Sequence, residues 1–242
     1  MKKLFVLFMG LMAGRNVVAQ FTDSTQHYVS FASTGVINKT NTSNSYVLNN
    51  TAKFSARKKK VSFNSFANWI YGNNESGLTN NDATVTVDAT LNSSVSHLYY
   101  WALANYTSSY SLKINHQFQT GGGAAYEFLH LKNATANISE GVLFETNDLY
   151  IDTVRDKYVT FRNSLRLRFR VSLQDLLVLD GTGFWQPSFS DGSDYIVKTN
   201  SSLTIKLRKW LGITAALTYN RFNRNRKENL LFNYGITMEK YF

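Results

Sequence analysis

The residues best placed to do chemistry are four arginines in one short run, Arg162, Arg166, Arg168 and Arg170. Side chains of an extended chain alternate between two faces, so these even positions share one face. Guanidiniums crowded on one face repel each other unless water, carboxylates or bound anions compensate them. Lys198, Lys206 and Arg208 share a parity in a later segment, and Lys53 and Arg57 share one earlier in the chain. The acids that could answer them are Asp88, Glu127, Asp180 and Glu239. A wall that keeps its positive excess favours small anions, whereas a wall whose charges all pair is held shut.

Other candidate chemistry is thinner. His27, His97, His116 and His130 stand singly among many serines. Some membrane-embedded lipases and deacylases set a Ser-His pair at the bilayer interface, and His116 shares its parity with apolar Phe118. No Ser-His spacing here is diagnostic. Scattered histidines and the lack of a calcium-loop pattern give no reason to expect a metal, and no motif calls for a cofactor. Gly121-Gly122-Gly123 lacks the Lys-Ser/Thr of a phosphate loop and sits inside a strand pattern, where glycine permits a bend or close approach. Arg57-Lys58-Lys59-Lys60 reads as a solvated tight turn, with contact to anionic headgroups as the other reading. Asn38-Lys39-Thr40 and Asn41-Thr42-Ser43 read as loop chemistry.

The elements that would position these residues are strands. From Phe161 to Leu173, apolar Phe161, Leu165, Leu167, Phe169, Val171 and Leu173 alternate with Arg162, Ser164, Arg166, Arg168, Arg170 and Ser172. A helix would scramble the two sets. The same period recurs in Ala83 to Leu91, Ser202 to Arg208, Leu211 to Asn220 and Phe232 to Glu239, and less regularly in Leu98 to Thr107, Lys113 to Leu129, Thr135 to Glu145 and Leu177 to Gln186. With Tyr28 to Ile37, Tyr46 to Ala56 and Val61 to Tyr71 this gives about twelve strands. An even number closes an antiparallel barrel with both termini on one side, which in a bacterial outer membrane is the periplasmic side.

Tight turns are expected near Arg57 to Lys60, Asn92 to Ser96, His130 to Ala134, Gln174 to Leu176 and Lys209 to Leu211. Longer loops are expected on the other side, at Asn38 to Ser45, Asn73 to Asp82, Ser108 to Leu112, Asn147 to Tyr158, Pro187 to Asp194 and Phe222 to Glu228. Trp69, Tyr71, Trp185, Trp210, Tyr241 and Phe242 are candidates for the aromatic girdles.

The ends and the composition agree with export. Lys2 and Lys3, the apolar run Leu4 to Met12 and the small-residue site Val17-Val18-Ala19 read as a signal peptide over residues 1–19, leaving a domain of residues 20–242. The formal charge is +10; Lys2, Lys3 and Arg15 supply three of it, leaving about +7. An exported basic chain meets anionic lipid and small anions rather than nucleic acid. With no cysteine, disulfide frameworks and thiolate metal sites are excluded. No later stretch reaches the roughly 20 apolar residues of a spanning helix. A soluble β-protein with the same alternation would have to bury Arg, Lys and Thr faces in its own core.

The run Tyr99-Tyr100-Trp101-Ala102-Leu103-Ala104-Asn105-Tyr106, with Gln119-Thr120-Gly121-Gly122-Gly123-Ala124-Ala125-Tyr126 after it, resembles the central hairpin of the YdiY-like salt-induced outer-membrane proteins, domain-of-unknown-function family 481. The resemblance extends over most of residues 28 to 242. It implies an outer-membrane barrel without an established activity, and brings no catalytic residues. Gly235, Met238 and Phe242 in the last segment resemble the signal read by the barrel-assembly machinery, from which Lys240 departs. The expected partners are outer-membrane lipid, that machinery and small anions, around a monomer. Three functions stay open: a structural or stress-related envelope barrel with a basic lumen, a narrow anion-biased pore for small solutes, and an interfacial lipid hydrolase or deacylase.

Overall fold

In the computed structural model the described residues are 26–40, 43–92, 97–174 and 176–242. The expected signal peptide lies outside them, as do parts of the turns at 92–96 and 174–176. Thirteen strands follow one another: β1 (His27–Lys39), β2 (Asn44–Lys58), β3 (Val61–Asn74), β4 (Gly77–Asn92), β5 (Leu98–Ser109), β6 (Ile114–Leu131), β7 (Ala134–Ile151), β8 (Val154–Asn163), β9 (Leu165–Leu173), β10 (Leu177–Pro187), β11 (Tyr195–Arg208), β12 (Leu211–Phe222) and β13 (Lys227–Tyr241). Both β8 and β9 pair with β7 in one register, Val142 opposite Asn163 and Ser139 opposite Arg166. They form a single stave interrupted at Ser164, so the sheet is a closed antiparallel barrel of twelve staves.

Closure is made by β1 and β13, from Tyr28 opposite Tyr241 to Gly35 opposite Tyr234. His27 N–H donates to the Phe242 carbonyl at 2.9 Å and Phe242 N–H returns to His27 at 3.0 Å. Both described ends of the chain therefore lie at one rim, called here the terminal end. A closed barrel leaves no strand edge to satisfy, which is what lets a sheet stand in hydrocarbon.

Alternation decides what faces where. Phe31, Phe63, Val85, Phe118, Phe161, Leu167, Ile205, Ile213, Phe232 and Ile236 are all exposed on the outer wall. An apolar belt of this extent belongs in a bilayer, because water would penalise it on every stave. Trp69, Trp185, Trp210 and Phe242 stand half-exposed on the same face, as girdle residues do. Tyr241 is a correction: it shares the parity of inward Glu239, and its ring lies 4.7 Å from that of Tyr28 inside the barrel.

The expected contrast between tight turns and long loops is also corrected. Residues 75–76 and 152–153 are all that separate β3 from β4 and β7 from β8, although Asn73 to Asp82 and Asn147 to Tyr158 had the composition of loops. Beyond the apolar band the outward face has no need to be hydrophobic, so hydropathy alternation stops while the hydrogen-bond ladder continues. Asp152 turns the second hairpin with φ of 54°, a left-handed conformation that Asp tolerates better than most residues. The longest connection among the described residues is 188–194.

Close approach explains the triple glycine. Trp101, Gly123 and Gly141 stand abreast on β5, β6 and β7; the neighbouring β7 backbone fills the space a side chain on Gly123 would need, and the Trp101 ring that of one on Gly141. A Cβ on Gly123 would lie 2.0 Å from the Glu140 carbonyl oxygen, and one on Gly141 would lie 2.6 Å from the Trp101 ring. Gly123→Val is expected to destabilise the barrel by about 1–3 kcal/mol or more, seen as a lower temperature for loss of the fast-migrating folded band in semi-native electrophoresis.

Candidate functional site

The inward faces divide the lumen into two halves. In the half away from the termini, Arg162 projects from β8 and is fully buried, at 0% exposure. Its Nη2 donates to Glu145 Oε1 on β7 at 2.9 Å and to Asp194 Oδ1 in the 188–194 connection at 2.9 Å. Nη1 donates to the carbonyls of Asp194 at 3.0 Å and Gln186 at 3.3 Å. Glu145 is itself at 0% exposure, and it also accepts from Gln119 Nε2 at 2.6 Å, Gln117 Nε2 at 3.1 Å and the Tyr158 hydroxyl at 3.1 Å. Charges removed from water this completely are tolerated only when paired and hydrogen-bonded on several sides.

The network crosses the lumen. Lys198 on β11 donates to Gln117 on β6 at 3.2 Å, with three staves between them. Arg224, in the 223–226 turn, donates to Asp156 at 2.7 Å and to Asp194 at 3.3 Å, and stacks 3.9 Å from the Tyr158 ring centroid. Leu112, Ile114, Leu149, Ile196 and Phe222 form an apolar cluster at the same end, and Asn225 Nδ2 donates to the Leu112 carbonyl at 2.8 Å from another turn of the same rim. In the 188–194 connection, outside the strands, the Asp191 carboxyl is held below the usual carboxylate range by the Ser193 hydroxyl and amide. That end of the lumen is filled by side chains that meet from facing walls.

Toward the terminal end the interior loosens. Arg166 donates to Ser139 Oγ at 2.9 Å and lies 5.5 Å from the Trp101 ring and 6.0 Å from that of Phe184. Arg168, one inward position further on, is exposed to the lumen. Arg170 pairs with Asp180 at 3.2 Å, and Lys206 with Glu239 at 2.5 Å. Arg208 is exposed at the rim after a bulge in the β11–β12 ladder. Asp88 accepts from Asn64 at 3.3 Å, while Glu127 is taken by His130 at 2.6 Å rather than by an arginine. A cavity of about 110 Å³ lies on the β1, β2 and β10–β13 side, where the inward residues are mostly Ser, Thr and Ala. The arginine row is thus not one stripe: its members occupy a sealed network, an aromatic sandwich and a wet wall.

Sequence reasoning missed Glu145 and Asp194 as partners of Arg162. The signal for Glu145 was present: a two-residue turn at Asp152-Thr153 fixes Glu145 opposite Thr160 and Leu143 opposite Arg162, so Glu145 and Arg162 become diagonal neighbours on one face. Asp194 could not be read, because its position depends on the path of an irregular connection. Among the histidines, His116 Nδ1 lies 2.6 Å from the Tyr106 hydroxyl, beside a shallow outer recess of about 460 Å³ that also holds Asp148 and Lys157. Among the described residues no histidine hydrogen-bonds a serine hydroxyl, and no group of His, Asp and Glu could hold a metal ion.

A family model described as "Protein of unknown function, DUF481" matches residues 32–236. The chain belongs to that family. No curated protein matches the chain. Among solved structures, this DUF481 barrel is similar to the NanC porin, with 8% identity, 88% of this chain and 99% of that chain covered, and a TM-score of 0.54. It is also similar to the COG4313 outer membrane channel from Pseudomonas putida F1, with 10% identity, coverage of 95% and 100%, and a TM-score of 0.49. The translocator domain of the autotransporter NalP from Neisseria meningitidis gives 10% identity, coverage of 98% and 93%, and a TM-score of 0.47. At such identities the NanC likeness establishes the fold of an outer-membrane β-barrel and nothing finer.

Removing one member of the buried network leaves charges that nothing else can satisfy. Arg162→Met is expected to destabilise the DUF481 barrel by about 3–5 kcal/mol, and Arg162→Met/Glu145→Met by less than the sum of the two single variants. Urea unfolding of the four proteins in detergent checks both expectations.

Proposed function

We propose that the protein is a structural barrel of the bacterial outer membrane, with both termini in the periplasm and a lumen closed to through passage. The single observation that carries this reading is the Arg162–Glu145–Asp194 network, buried to 0–3% side-chain exposure in the lumen. Narrow barrels fill their interiors with side chains, and twelve staves can go either way, so the filling decides. The apolar outer belt and the similarity to the NanC porin support placement in the outer membrane. The position of the longest described connection opposite the termini supports a periplasmic terminal end, since outward loops are the longer ones in such barrels. Gly235 packs tightly at the closing seam, where a Cβ would lie 2.0 Å from the Ser33 carbonyl oxygen, in keeping with a terminal strand handled by the barrel-assembly machinery. The stress-related setting is the one the family resemblance implies.

A second reading, the narrow anion-biased pore, draws on one observation. Lys53, Arg166, Arg168, Arg170 and Lys206 outnumber Asp88, Glu127, Asp180 and Glu239 in the terminal half of the lumen. Single-channel recording separates the two. The folded wild-type barrel is expected to give no conductance steps in planar bilayers, and Asp194→Ala, which removes the carboxylate that Arg162 and Arg224 share across the 188–194 connection, is expected to give them. Anion-selective steps from the wild type would replace the closed barrel with the pore.

A further inference from the structure

We propose that the terminal half of the lumen contains a binding site for a small oxyanion, centred on Lys53. The inference uses the barrel and the inward face of β2, but stands whether or not the far end conducts. Among the described residues Lys53 forms no ion pair and donates no side-chain hydrogen bond, although it lines the 110 Å³ cavity. The charges that act on it are Asp180, Arg168, Arg170 and Glu239.

Both carboxylates of the cavity are already engaged. Asp180 accepts from Arg170 at 3.2 Å and from the Ser202 hydroxyl at 3.1 Å. Glu239 accepts from the Tyr28 hydroxyl at 3.2 Å, and its other oxygen lies 2.5 Å from Lys206 Nζ. Lys53, Arg170 and Lys206 thus face two satisfied acids, which leaves one positive charge on the cavity wall without a counter-ion. Arg168, equally free of an ion pair, adds to the field from the neighbouring stretch of β9.

The remaining lining is made of donors suited to oxygen ligands. Thr204, Thr214 and Thr237 form a chain of hydroxyls at 2.8 and 2.6 Å across β11, β12 and β13, and Ser30 stands directly opposite Lys53 on β1. Hydroxyl rotors can turn toward an anion, and an ammonium in a narrow, low-dielectric wall prefers a charge-assisted partner to a single water. The volume holds several waters, and so accommodates a phosphate-sized or acetate-sized anion but not a long polyanion. Accessibility along the arginine row rises from Arg162 at 0% to exposed Arg168, so entry is from the terminal end. Phosphate and carboxylate share the required chemistry, and the two are separated by experiment.

The test is titration calorimetry of the detergent-folded full barrel with inorganic phosphate and, separately, acetate, against a chloride background. Saturable binding of at least one is expected. It should weaken at least about tenfold in Lys53→Gln, the loss of one charge-assisted contact, and stay unchanged in Lys240→Gln, whose charge is on the outer face. Thr214→Val, which breaks the hydroxyl chain without touching a charge, should weaken it severalfold and serves if Lys53→Gln does not fold. Binding of neither anion, or equal binding by wild type and both lumen variants, overturns the site. The closed-lumen reading fails on a different measurement, wild-type conductance, so the two failures are distinguishable.

Discussion

A guanidinium with no access to water governs the interior of this barrel. Arg162 is ionised under all ordinary conditions, and its burial is met by two carboxylates and two carbonyls in fixed places. Glu145 must therefore sit diagonally across the β7–β8 hairpin, and the 188–194 connection must bend inward to deliver Asp194. Once Asp194 is there, Arg224 is drawn to it from another rim turn, and the apolar cluster around Phe222 and Leu149 covers the assembly. A hydrophobic plug alone would fill the same volume. The ionic version also fixes which loops close the end, because only those bearing the right charge satisfy Arg162.

The asymmetry between the two halves follows from side-chain size as much as charge. On β5–β7 and β10, Trp101, Leu143 and Phe184 reach inward, with Gly141 on β7 giving the Trp101 ring its room. On β1, β2 and β11–β13 the inward residues are mostly Ser, Thr and Ala, which leave space. Arg166 bridges the regimes by lying against two aromatic rings, a cation–π setting that holds the guanidinium without a carboxylate. Below it the wall is wet, and its cations outnumber its acids.

The fold was legible because a membrane barrel is one of the few architectures whose lipid face must alternate along every stave. The runs around Phe161 to Leu173 and Ile213 to Tyr219 displayed that alternation openly. Where the signal ended, at Asn73 to Asp82 and Asn147 to Tyr158, the strands did not, since hydrogen-bond ladders continue above the apolar band without leaving a hydropathy pattern. The site was legible in part. The parity of the arginines placed them on the inward face, but which of them met acids depended on cross-lumen contacts and on the path of residues 188–194, and local pattern contains neither.

The chain has no cysteine, so a single introduced thiol can report access to the lumen from either side of a membrane. Thr51 lines the cavity in the terminal half, and Thr51→Cys is the substitution to use, with the barrel inserted in one orientation in lipid vesicles. An impermeant maleimide added at the terminal face is expected to label it readily, and the same reagent added at the opposite face is expected to leave it unmodified. Equal labelling from both faces would contradict a lumen closed by Arg162 and its carboxylates.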